Sequence, residues 1–115
     1  MDLDKARKAH DDWKVKLRLA MIRHEQLDAA TIAKDNACEL GKWLQADGVK
    51  HAAAPEYREC KAKHAAFHVE AGKVAKMIND GKHTEAEAAL GSGSAFSKAS
   101  FEAIGAIGKL QKHVA

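Results

Sequence analysis

Residues 55–81 have the sequence PEYRECKAKHAAFHVEAGKVAKMINDG, and their apolar positions recur with the period of an α-helix. One stripe of this helix holds Tyr57, Cys60, His64, Phe67 with His68, Ala71, Val74 with Ala75, and Ile78. Pro55 suits the first helical turn, and Asn79, Asp80 and Gly81 end the pattern. The stretch therefore predicts one long amphipathic helix that packs against other helices.

A second helix is predicted at the N-terminus. Its stripe is spaced alternately by three and four residues and consists of Leu3, Ala6, His10, Trp13, Leu17, Ala20 and His24. This spacing is typical of one continuous helix face. His10 lies in the middle of that face, between apolar neighbours.

The segment between these two helices predicts a broken helical stretch over residues 27–44. Asp28 is suited to cap its start, and residues 35–36 (Asp-Asn) indicate a break or a new helix start. The break places Cys38 in the first turn of a short helix. Residues 45–54 then predict a loop.

After the long helix, the sequence predicts a short helix at about 82–90 and a hinge at residues 91–94 (Gly-Ser-Gly-Ser). The last helix carries Phe96, Ser100, Ala103, Ile107 and Leu110 on one face. Short connections between amphipathic helices favour an all-α fold, an antiparallel four-helix bundle with an extra short helix.

Composition and charge exclude several classes of protein. The 115 residues suit a single domain, 1–115. The 19 basic and 16 acidic residues are mixed along the chain, which favours solvated helix faces over a nucleic-acid surface. No apolar run approaches the roughly 18–20 residues that span a membrane. Two cysteines beside seven histidines favour a reducing, cytoplasmic location over a disulfide scaffold.

His64 and His68 are four residues apart and therefore share one face of the long helix. Two imidazoles in this arrangement can bind one metal ion together. Many helices carry such a pair without a metal, so the pair alone leaves open two core-edge or solvated histidines. Position 65 is Ala65, where the HExxH metalloproteases have the glutamate that acts as general base.

His10 and Cys38 extend the set of candidate ligands. His10 is next to Trp13 on its apolar stripe, and Cys38 precedes Leu40 in an apolar turn. Each of them alone is more often an ordinary core residue. With the histidine pair, however, three helices each direct a nitrogen or sulfur ligand inward, and zinc prefers this mixture. Spacing alone does not bring the three faces together.

Four segments carry a family pattern. They are His10-Asp11-Asp12-Trp13-Lys14 with Leu17-Arg18, Cys38-Glu39-Leu40-Gly41-Lys42-Trp43-Leu44, His64-Ala65-Ala66-Phe67-His68, and residues 94–100 at the start of the last helix. In this order they resemble the chemoreceptor zinc-binding (CZB) domain family. The likeness covers nearly the whole chain.

The resemblance implies a helical bundle that holds one zinc ion on His10, Cys38, His64 and His68. Members of the family are cytoplasmic, often dimeric, and usually fused to bacterial chemoreceptor signalling domains or to diguanylate cyclase domains. We therefore expect a homodimer, with such a domain as partner in cis or in trans. The family is associated with sensing zinc or oxidants such as hypochlorous acid.

The predicted function is thus that of a zinc-binding sensory or regulatory domain in chemotaxis or cyclic-di-GMP signalling, and not an enzyme. Four protein ligands close a tetrahedral site and leave no position for a water nucleophile. Cys38 makes the site redox-sensitive, because oxidation of the sulfur weakens it as a ligand. Asp11, Asp12 and Asp35 are candidate carboxylates for orienting the imidazoles.

Other interpretations remain open at this stage. The same residues suit a purely structural zinc-stabilised interaction module. A di-iron bundle of hemerythrin type requires bridging carboxylates that the inner stripes lack, and a zinc hydrolase requires displacement of Cys38. Cys60 is outside the motif and is either a packing residue or a thiol that pairs with Cys38 after oxidation. The other histidines are predicted at the surface or at helix ends: His24, His51, His83 and His113.

Overall fold

A computed structural model of the protein describes residues 1–114, which contain helices and no strand. The helices are α1 (Leu3–Asp11), α2 (Trp13–Ile22), α3 (Ala29–Ile32), α4 (Glu39–Gln45), α5 (Pro55–Asn79), α6 (His83–Ala89) and α7 (Ala95–Val114), with a 3-10 helix at Asp47–His51. The all-α class predicted from the sequence is confirmed.

The long helix α5 organises the core. It has its most extensive contacts with α7, and α1 also packs against α7. Two apolar clusters of buried residues flank the middle of α5. The first consists mainly of Leu17, Phe67, Val74, Ile78, Leu90 and Phe96, and the second of Leu3, Leu40, Leu44, Tyr57, Cys60, Ile107 and Leu110. Along α5, His64 lies between Cys60 of one cluster and Phe67 of the other.

The N-terminal stripe differs from the prediction, because it forms two helices and not one. The break falls at Asp12, which ends α1 and precedes α2. The helical direction continues through it, since Asp12 N–H donates to the Lys8 carbonyl and Lys16 N–H donates to the Asp12 carbonyl. His24 lies beyond α2 with a φ of 54°, so the stripe ends before it.

The segment before α5 confirms the predicted break but corrects two details. Asp28 caps α3 by accepting from Thr31 N–H. Cys38 is the N-cap of α4, one residue before its first turn. Residues 45–54, predicted as a loop, contain the 3-10 helix, which turns tightly because Gly48 is buried against the Trp43 ring and leaves no room for a side chain.

No helix among residues 1–114 is both long enough and apolar enough to cross a membrane.

Candidate metal centre

The structure brings the four predicted ligands together. His10 comes from α1, Cys38 from the N-cap of α4, and His64 and His68 from successive turns of α5. Their ligand atoms all lie within 4.8 Å of one another, and the three histidines are buried. No other group of three or more histidine, cysteine or acidic residues is arranged in this way within the described part of the chain.

The separations between the ligand atoms suit a single tetrahedral ion. Cys38 Sγ lies 3.2, 3.6 and 3.9 Å from the Nε2 atoms of His64, His68 and His10 respectively. The Nε2 atoms of His64 and His68 are 3.0 Å apart. With Zn–N and Zn–S bonds of about 2.05 and about 2.3 Å, tetrahedral ligands would lie about 3.3 Å (N to N) and about 3.6 Å (N to S) apart. These four distances differ from the tetrahedral values by only a few tenths of an ångström.

Backbone carbonyls set the tautomers of two of the histidines. Nδ1–H of His10 donates to the Ala6 carbonyl at 2.7 Å, and Nδ1–H of His68 donates to the Ile32 carbonyl at 2.9 Å. A carbonyl can only accept, so the proton of each neutral ring is on Nδ1. Both Nε2 lone pairs consequently point at Cys38 Sγ and are free to coordinate a cation.

The carboxylates predicted for this orienting role are not the partners of these two imidazoles. Among residues 1–114, no described hydrogen bond joins Asp11, Asp12 or Asp35 to an imidazole, and their role beside a bound ion stays a prediction. Burial lowers the pKa of His68, and the hydrogen bond to the Ile32 carbonyl and the charge of Asp35 oppose this lowering. The Ala6 carbonyl follows from the i−4 position of a helix, whereas the Ile32 carbonyl depends on how α3 packs and has no sequence signal.

His64 is the least satisfied member of the cluster. Its ring is fully buried, and its Nδ1 has no hydrogen-bond partner among the described residues. Burial, with His68 and His10 adding to it, lowers the pKa of His64 to about 3. The ring is therefore neutral at physiological pH. A buried set of neutral nitrogen ligands around one sulfur fits a metal cation, which is the partner that all four atoms can share.

Cys38 is placed to act as a thiolate when a cation is present. Gly41 N–H donates to its Sγ at 3.4 Å, as expected of a residue that caps a helix N-terminus. Burial raises the pKa of the free thiol, and the backbone N–H groups of Gly41 and Leu40 oppose this rise. A coordinated cation reverses the balance by stabilising the thiolate directly.

The second cysteine does not belong to the cluster. Cys60 is completely buried in the apolar cluster next to Leu44 and Leu110, and burial raises its pKa to about 12. These surroundings favour the interpretation of Cys60 as a packing residue. The remaining histidines lie outside the centre, as predicted, with His24 and His113 exposed and His51 and His83 half-buried.

Aromatic packing encloses the centre. The Phe67 ring meets the His10 ring edge-on at 5.3 Å and the His68 ring at 5.2 Å between centroids. Because Phe67 is itself fully buried, this wall excludes water from one side of the ligands.

The helical fold and the buried set of three histidines and one cysteine define the class of this protein as a helical domain with a candidate metal centre. Residues 10–75 match the family model of the chemoreceptor zinc-binding domain, CZB. This match spans more than half of the 115 residues and includes all four clustered side chains, so the chain belongs to the CZB family. No curated protein and no solved structure shows a significant match.

Proposed function

We propose that this chain is a zinc-binding sensory or regulatory module of bacterial signalling. The observation that carries the proposal is the convergence of four ligand atoms from three helices within 4.8 Å, in a chain of the CZB family. His10, His64 and His68 supply Nε2, and Cys38 supplies Sγ. Three imidazoles and one thiolate suit zinc better than magnesium or calcium, which prefer oxygen ligands.

The arrangement supports regulation more than catalysis. A bound zinc ion would supply a fixed positive charge held by His10, Cys38, His64 and His68. These four ligands would fill its coordination positions and leave none for substrate or water. The carboxylates Asp11, Asp12 and Asp35 make no hydrogen bond to the ligand histidines in the described structure, so the cluster also lacks an obvious general base.

Occupancy of the site is coupled to the packing of the helices. The ligands belong to α1, α4 and α5, so gaining or losing a shared ion changes how firmly these helices are held together. We propose that 1–115 acts as one cytoplasmic domain built as an antiparallel four-helix bundle. In a homodimer, the change would pass to a chemoreceptor signalling domain or a diguanylate cyclase domain, in cis or in trans. Because basic and acidic residues are mixed along the chain, we expect no nucleic-acid partner.

Cys38 provides the redox sensitivity of the proposed sensor. Its thiolate reacts with hypochlorous acid to give a sulfenic acid and chloride, and this two-electron oxidation of sulfur is balanced by the reduction of chlorine. The sulfenic acid is a weaker ligand than the thiolate, so oxidation weakens the bond between Cys38, the N-cap of α4, and the zinc ion. Cys60 differs, because it is fully buried and its raised pKa keeps it as a thiol.

One equivalent of hypochlorous acid is expected to release most of the bound zinc while Cys60 stays reduced. Zinc release is followed with a chromogenic chelator, and the oxidised residue is identified by mass spectrometry. The Cys60→Ala variant is the matched control and should release zinc at the same oxidant dose. Retention of zinc after Cys38 has been oxidised would contradict the redox part of the proposal.

Affinity separates a sensor from a purely structural zinc module. A sensor must exchange zinc within the range of free concentrations in the cell, whereas a structural site holds it permanently. A chelator competition titration of the zinc-loaded protein measures this difference directly.

A further inference from the structure

Residues 27–38, called the strap below, cross the surface of α5 and end at the ligand Cys38. The strap is fastened to α5 at its start, where the Asn79 side chain accepts from Leu27 N–H at 2.7 Å and donates to the Leu27 carbonyl at 2.8 Å. In its middle, the Ile32 carbonyl accepts from Nδ1 of His68 at 2.9 Å. The strap thus contacts one ligand through its backbone and supplies another.

Few apolar contacts hold the strap in place. Its helix α3 contains no buried residue, although Leu27, Ala29 and Ile32 pack partly against the core. The position of the strap therefore depends on backbone fit and on a few hydrogen bonds.

The strap lies very close to the backbone of α5 at Gly72, one helical turn after His68. A Cβ at this position would lie 2.6 Å from Ala33 Cβ, a distance that real Cβ atoms essentially never show, and a tight 3.0 Å from Ala33 Cα. Ala33 directly follows Ile32, whose carbonyl holds His68. The bare backbone of α5 at Gly72 is therefore what lets the Ile32 carbonyl reach the imidazole.

We propose that Gly72 is a positioning residue of the metal centre, because it seats the strap and thereby holds His68 in the tautomer and orientation that bind metal. The inference rests on the proposed zinc-binding function. By linkage, metal binding must stabilise the seated strap by the same factor as the seated strap strengthens metal binding.

The test compares two glycine-to-alanine changes within helices. Gly72→Ala should weaken zinc affinity roughly 10–100-fold, the usual effect of disturbing a group that orients a ligand histidine. Gly105→Ala is the matched control, because a Cβ there meets no atom within 4 Å. Both changes raise intrinsic helix propensity, so a loss of affinity confined to Gly72→Ala cannot come from α-helix formation itself. Affinity is measured by competition with a chromogenic chelator.

A compensating change makes the test specific. The double variant Gly72→Ala with Ala33→Gly removes the closest contact but leaves Ala33's Cα position close, so it should recover part of the lost affinity. Ala33→Gly alone should bind zinc nearly as the unchanged protein does. Affinity of Gly72→Ala within twofold of the unchanged protein, or a double variant no better than Gly72→Ala, would overturn the proposal.

A metal-free measurement separates this proposal from the proposed function. In chelator-treated protein, Gly72→Ala should speed amide hydrogen exchange over residues 29–33 and disturb the Nδ1–H signal of His68, while Gly105→Ala should change neither. If the unchanged protein binds no zinc, the proposed function fails, but the hydrogen exchange and the His68 signal still show whether Gly72 positions the strap.

If Gly72→Ala does not fold, the Asn79→Ala variant replaces it, because it frees the start of the strap from α5. This variant should give a smaller change in the same direction. Unchanged hydrogen exchange and unchanged zinc affinity in Asn79→Ala would overturn the proposal.

Discussion

Removing zinc from the loaded protein should lower its Tm by roughly 12–25 °C. A ligand at a free concentration about a thousandfold above its Kd stabilises the folded state by about 4.1 kcal/mol. For a domain of this size, each kcal/mol corresponds to about 3–6 °C in Tm. The effect is large because the four ligands come from α1, α4 and α5, so loss of the ion removes one link shared by three helices.

The measurement is thermal unfolding followed by circular dichroism, with and without a strong chelator, at fixed protein concentration. A Cys38→Ala variant serves as control, and its Tm should respond much less to the chelator. A Tm of the unchanged protein that is insensitive to chelation would show that the ion does not hold the helices together.

The second prediction is that His64→Leu makes the protein more stable than the unchanged protein without metal, but less stable than it in the presence of zinc. His64 is fully buried and its Nδ1 is unpartnered among residues 1–114. Replacing it with an apolar side chain of similar size removes this unsatisfied group, which we expect to stabilise the metal-free protein by about 1–2 kcal/mol. The Cys38 thiol keeps a partner, since it also lies 3.6 Å from Nε2 of His68.

In the presence of zinc the order should be opposite, because the variant has lost one of four ligands. We expect its zinc affinity to fall by a factor of about a hundred or more, as a quarter of the typical binding free energy of a four-ligand zinc site is at least 2.5 kcal/mol. Denaturant unfolding of both proteins, with zinc and with chelator, reveals the crossover. His113→Leu, at an exposed position, should change neither state, and a metal-free His64→Leu that is less stable than the unchanged protein would contradict the account.

Periodicity predicted most of the helical framework because the apolar stripes are long and regular. The bounds of α5, from Pro55 to Asn79, follow from the proline at its start and the polar residues at its end. The 3-10 helix at Asp47–His51 was missed, since it depends on the packing of Gly48 under Trp43 and not on any local pattern.

The candidate ligands were accessible from sequence for a different reason. His64 and His68 are adjacent on any helix, but only the family pattern connected them to His10 and Cys38, and the structure then placed the four atoms together. Of the groups that orient the ligands, the Ala6 carbonyl follows from helix geometry, but the Ile32 carbonyl was not accessible from the sequence. The Ile32 carbonyl reaches His68 through the tertiary packing of the strap, which the identity of Ile32 does not encode.

The central claim is that His10, Cys38, His64 and His68 hold one zinc ion, and the metal content of the purified protein tests it most directly. Elemental mass spectrometry of protein prepared without chelator, alongside Cys38→Ala, should give about one zinc per chain for the unchanged protein and far less for the variant, as expected for a site of four ligands. No zinc in the unchanged protein after zinc is resupplied, or equal zinc in both proteins, would contradict the claim.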